Sequence, residues 1–186
     1  MTVQYLPADA APAVLDFWFD EVGRDRWFAK SDALDARICS RFGGLRDGLL
    51  ATKAEAWRDT PEHLLSAIIV LDQFSRNLFR ASAKAFAADP IALEMTMLAL
   101  ERGWDGQMVP ERRQFLLMPL MHSEQIADQD RALTEFGKVG DANVLAFAQR
   151  HHDQIAKFGR FPGRNAALGR RTTPVEQDAL DDGAAF

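Results

Sequence analysis

Apolar residues recur at three- and four-residue intervals along most of this chain, the period of helices that bury one face. One stretch departs from it. Residues 61–80 read PEHLLSAIIVLDQFSRNLFR. The first half is apolar nearly all round, through Leu64, Leu65, Ala67, Ile68, Ile69, Val70 and Leu71, which predicts a helix buried in the middle of a domain. The second half keeps Phe74, Leu78 and Phe79 but adds Asp72, Gln73, Arg76, Asn77 and Arg80. On a 3.6-residue period Asp72, Arg76 and Arg80 stack one turn apart, with Gln73 and Asn77 beside them. A core helix with such a polar stripe either reaches a cleft or finds partners inside the protein.

The rest of the chain reads as helices joined by short turns. Residues 1–11 form an arm, and Pro12 opens a helix through AVLDFWFDE, since proline suits a first helical turn. Ser31 caps a helix carrying Leu34, Ile38, Phe42, Leu45 and Leu49 toward Trp57, which the pair Gly43-Gly44 should bend. Thr60-Pro61 starts the central helix, and Asp89-Pro90 repeats that cap-and-proline logic for a helix to Gly103. Residues 111–128 form one helix kinked at Pro119, and 129–136 add a short one. Gly140-Asp141 begins the last long helix, ending near Phe158. Thr173-Pro174-Val175-Glu176 is a capping box opening a short acidic helix, and 183–186 are a frayed tail. No alternating strand run of useful length occurs. The expectation is an all-α, single-domain protein of antiparallel helical hairpins over 12–182, with only a faint repeat signal.

Composition narrows the function. A chain of 186 residues with 47% hydrophobic and 26% charged residues is an ordinary globular one and buries roughly 70% of its unfolded surface without staples. The net charge of −5 argues against nucleic-acid and anionic-membrane partners. No signal peptide and no apolar run of membrane-spanning length is visible. One cysteine, Cys39, allows no internal disulfide and fits a reducing compartment, so the expected location is the cytoplasm. Arginine outnumbers lysine 17 to 5, and arginine is the better binder of carboxylate and phosphate.

Besides the stripe, two stretches carry chemistry. His122, Ser123 and Glu124 follow Pro119. Their spacing is wrong for a helical zinc pair, and no metal or cofactor is expected. His122 could be a general acid–base with Glu124 as its orienting carboxylate, or a core-edge histidine. The loop GRFPGRNAALGRR, 159–171, sets Arg160, Arg164, Asn165 and Arg170 among glycines, a composition suited to a carboxylate or phosphate or to tying the loop onto acidic helix ends. It lacks the lysine–hydroxyl ending of a phosphate loop. His151 lies on an apolar helix face and reads as a core residue.

DFWF at 16–19, LDQFSRNLFR at 71–80, PLMHSEQ at 119–125 and FGRFPGRNAALGR at 158–170 together resemble the bacterial family called domain of unknown function 924. The likeness runs from about Val14 to Leu180. It implies a tetratricopeptide-repeat-like, all-helical fold in a right-handed array, and no established activity. The motif positions it carries over are Asp72, Gln73, Arg76, Asn77, Arg80, His122, Glu124, Arg160, Arg164, Asn165 and Arg170. This chain has Gly163 where the family often has histidine, so chemistry that needs that histidine is not expected.

Three readings follow. In the first, an Arg-lined pocket binds a small anionic molecule or an acidic peptide terminus. In the second, an enzyme uses His122 and Glu124 on an anionic substrate. In the third, no pocket exists and the polar residues are a buried network. A protein partner or a second copy of the chain is open, with Trp18, Trp27 and Phe28 as contact or core.

Overall fold

A computed structural model describes residues 6–183. Eight helices form, and no strand occurs among the described residues. Helix α1 spans Pro7–Leu15 and continues as a wider π-helical stretch over Asp16–Val22. Helix α2 is Asp32–Thr52. Helix α3 begins at Pro61–Ile68, widens into a π-helical stretch at Ile69–Phe74 and resumes at Ser75–Leu78. Helices α4 (Asp89–Glu101), α5 (Pro110–His122), α6 (Ile126–Gly137), α7 (Ala142–Phe158) and α8 (Pro174–Asp181) complete the chain. From α2 to α7 each helix packs on the next, and α3 also touches α1 and α5. The protein is all-α and a single domain.

The caps explain the boundaries. The Ser31, Thr60 and Asp141 side chains accept backbone N–H groups at the starts of α2, α3 and α7. Thr173 and Glu176 form the capping box of α8. Gly159 ends α7 at φ 70°, where a residue without Cβ is unstrained.

Several boundaries differ from expectation. The first helix starts at Pro7, and Ala11 is already buried, so residues 7–11 are not an arm; residues 1–5 lie outside the description. Of the expected tail only Gly183, in a turn, lies within it. Gly43-Gly44 does not interrupt α2, which ends early because Lys53 and Ala54 both take positive φ. The helix expected over 111–128 divides after His122. Ser123 is extended there, and the buried Gln129 Nε2 donates to the carbonyls of Met121 and Ser123. That amide satisfies acceptors a helix end leaves open.

The two π-helical stretches meet in the core. Phe74 of α3 lies edge-on to Phe17 and Trp18 of α1, at 5.9 and 5.4 Å, and Phe115 of α5 closes on Trp18 at 5.6 Å. Edge-to-face contacts at these separations are favourable beyond plain burial. This knot holds the central helix by its middle. The same widened turn carries Asp72 and Gln73.

Candidate functional site

Asp72 is the centre. It is 1% exposed, and an unpaired carboxylate there would be very costly. Three side chains surround it. His122 Nδ1 lies 2.8 Å from Oδ1, Arg76 Nη1 3.0 Å from the same oxygen, and Gln73 Nε2 donates to Oδ2 at 2.5 Å. Burial pushes the Asp72 carboxyl upward, but Arg76 and His122 outweigh it and hold the group well below its ordinary value.

Asp89 forms a second layer. Both its oxygens accept from Arg76, at 3.1 and 3.0 Å, and Arg164 Nη1 reaches Oδ2 at 3.4 Å. The sequence predicts Asp89 as a helix cap. It stands instead inside the first turn of α4 and caps nothing, because its carboxylate is turned to the arginines. Arg164 also donates to the His122 carbonyl at 2.9 Å and lies between the rings of Phe86 and Phe161, 4.7 and 4.5 Å from their centres. Burial and the neighbouring Arg76 lower its pKa to about 10, so it remains charged at neutral pH.

The three polar stretches therefore converge: Asp72 and Arg76 from α3, His122 from the end of α5, and Arg164 from the loop after α7. They meet at a cleft of about 660 Å³, within the roughly 300–1,000 Å³ of small-molecule sites. Gln73, Arg76, Arg80, His122, His151 and Arg164 line its polar part, and Trp27, Phe28, Phe86, Met118, Met121, Val144 and Phe147 its apolar part. Among the described residues no serine, threonine, cysteine or tyrosine lines it. Ala81, also on the lining, has φ 58°, a strained conformation for a residue with a Cβ.

The hydrogen bond to a carboxylate assigns the His122 proton to Nδ1 and leaves the Nε2 lone pair free. Nε2 has no hydrogen-bond partner among the described residues. Burial lowers the His122 pKa, partly opposed by Asp72, so the ring is neutral at pH 7. His151 lies 6.0 Å away, ring centre to ring centre, and is lowered to about 3 by burial and then by His122.

The remaining motif residues serve elsewhere. Glu124 does not orient His122. It accepts both terminal nitrogens of Arg170, at 2.7 and 3.0 Å, and the Phe161 N–H at 2.8 Å. Arg80 and Asn77 hold Asp35. Arg160 forms a two-pronged pair with Glu176, and Asn165 Nδ2 lies 3.4 Å from the same carboxylate. These contacts tie elements together, as the structural reading of the loop expects, yet the cleft beside His122 is at odds with its no-pocket form. Sequence reasoning missed Asp89 and Asp35 as anchors. The signal available was charge: buried arginines require carboxylates, and both aspartates sit at helix starts.

The sequence of residues 14–184 matches the family described as bacterial protein of unknown function (DUF924). The chain belongs to this family. A solved structure of a protein of unknown function from Agrobacterium tumefaciens is 36% identical to this DUF924 chain, with a TM-score of 0.90, covering 95% of this chain and 99% of that one. Among curated proteins none matches. Within the described residues of this DUF924 chain, no group of three or more His, Cys, Asp or Glu could hold a metal ion. No helix there is long and apolar enough to cross a membrane.

Proposed function

We propose that this chain is an acid–base enzyme acting on a small amphipathic molecule, with His122 Nε2 as the base. One observation carries the reading: a neutral histidine on the cleft wall, its Nδ1 bonded to a buried carboxylate and its Nε2 without a partner among the described residues. Asp72 fixes the tautomer and favours the imidazolium that proton uptake would create. Among the described residues the lining offers His122 no hydroxyl or thiol to activate, and the proton is taken from water or from the substrate itself. For an acyl bond, His122 takes a proton as the water oxygen attacks the carbonyl and returns it to the leaving oxygen or nitrogen. Arg76 and Arg164 on the cleft wall, their net charge offset by Asp72 and Asp89, act on the carbonyl oxygen as N–H donors.

A panel of aryl and alkyl esters, amides and lactones tests this. Turnover should fall by about 10²–10⁴ in His122→Gln. Any turnover that His122→Gln and Asp72→Asn both leave unchanged overturns the assignment.

The alternative is a binding protein for a small anion or an acidic peptide terminus. The basic side chains on the cleft wall support it, and tight binding with no turnover would favour it. We read the helical succession as tetratricopeptide-repeat-like, supported by the packing of each helix on the next, and the location as the cytoplasm, supported by the single cysteine.

A further inference from the structure

Charge is distributed unevenly along the cleft. At the inner end two guanidiniums, Arg76 and Arg164, face two carboxylates, Asp72 and Asp89, and His122 is neutral. That end carries no surplus positive charge. A ligand anion there would meet the His122 lone pair and arginines already paired. The inner end therefore suits a neutral polar group, such as a carbonyl.

Lys30 differs. It is exposed and lines the cleft; its charge is felt by Asp35, but among the described residues it makes no hydrogen bond and no ion pair within 4 Å. Of the other basic residues on the lining, Arg24 pairs with Asp141 and Arg80 with Asp35. The walls are aromatic and sulfur-rich. Phe28 and Phe147 are 64% and 48% exposed, large apolar surface of a kind that marks a binding site when it lies in a cleft. With Phe86, Met118 and Met121 they give ring faces and polarizable thioethers, which contact planar aromatic groups favourably.

We propose that the substrate of the enzyme read above is an aromatic acid derivative. Its neutral acyl group lies at His122, its ring between the Phe and Met walls, and its carboxylate at Lys30. This rests on the acid–base reading only for what happens at the acyl group; occupancy is measured separately.

The probe is the monomethyl ester of naphthalene-2,6-dicarboxylic acid, titrated calorimetrically into wild type and His122→Gln. Its dimethyl ester and the aliphatic monomethyl suberate are the comparators. The monoester should bind both proteins with similar affinity. Lys30→Glu should weaken the monoester about 5- to 10-fold and leave the dimethyl ester unchanged. Phe147→Ala should weaken both aromatic esters about tenfold, while suberate binds poorly throughout. Equal affinity for the two aromatic esters, or indifference of the monoester to Lys30→Glu, overturns the placement of the anion. Suberate binding as tightly as the monoester overturns the aromatic class, and no binding by any probe overturns the whole. Binding without turnover in wild type counts against His122 acting on such esters and leaves the substrate's seat intact.

Discussion

Arg164 donates a hydrogen bond to the backbone carbonyl of His122 at 2.9 Å. The loop after α7 is thereby fastened to the last residue of α5, and His122 is held from two sides, by its ring through Asp72 and by its carbonyl through Arg164. A buried polar site held this way is sensitive to loss of one partner.

Asp72→Asn removes the charge facing Arg76 and His122 while keeping the shape. Breaking a buried ion pair from one side costs about 3–5 kcal/mol. Chemical denaturation of the variant should show a loss of that order, with a melting temperature lower by about 10 °C. A loss under 1 kcal/mol would mean that the carboxylate is replaceable.

Acid should weaken the fold through its two buried histidines. The folded-state pKa values of His122 and His151 lie below the ordinary 6.5. The unfolded chain therefore binds more protons, and the stability these neutral rings give is present above pH 6.5 and lost as pH falls toward the folded values. For His151, lowered to about 3, the loss between pH 6.5 and 5 is about 2 kcal/mol. Urea midpoints across that range should fall, and fall less steeply in His151→Gln. Midpoints that do not change between pH 7 and 5 would contradict neutral burial.

Glu124 and Arg170 should behave as a brace. A double-mutant cycle to alanine should give a coupling of about 1 kcal/mol in stability, the upper range for a part-exposed pair with two-pronged geometry. Ligand affinity at the cleft should stay within about twofold. A large change in turnover with stability intact would return Glu124 to the chemistry.

Ala81 is the strained position on the cleft wall, at φ 58°. A left-handed conformation costs a residue with a Cβ roughly 1–2 kcal/mol. Ala81→Gly relieves that cost and loosens the unfolded chain by about 0.4–1 kcal/mol. The expected net gain is about 1 kcal/mol, read as a higher denaturant midpoint, and a net loss would show that the turn is held by other contacts.

The fold was legible where local chemistry and global packing agree. Ser31, Thr60, Asp141 and Thr173 start helices because each has a side-chain oxygen to offer an open N–H. The all-round apolar run before Asp72 marked the central helix. Partnership in the site was not legible, since it depends on residues far apart in the chain. Glu124 stands two residues from His122, and Asp72 fifty residues away, yet Asp72 holds the ring. Nearness in sequence misled because the chain turns out of α5 at Ser123 and carries Glu124 toward the loop after α7. Asp89 was read as a cap because an aspartate before a proline has that local use. Only the arrival of Arg76 and Arg164 gives it another.

The widened turn at Ile69–Phe74 also bears on how this chain tolerates changes in length. A π-helical turn holds more residues than an α-helical turn. Removing one residue there would let α3 close to a plain helix, whose tighter winding offsets the missing residue, so the flanking segments keep their faces while the widened turn itself is lost. Asp72 and Gln73, which sit in that turn, would lose the placement that brings Asp72 to His122. A single-residue deletion is thus far more disruptive here than in the loop before α8. Insertions and deletions in related chains should cluster in the turns and leave this stretch at constant length.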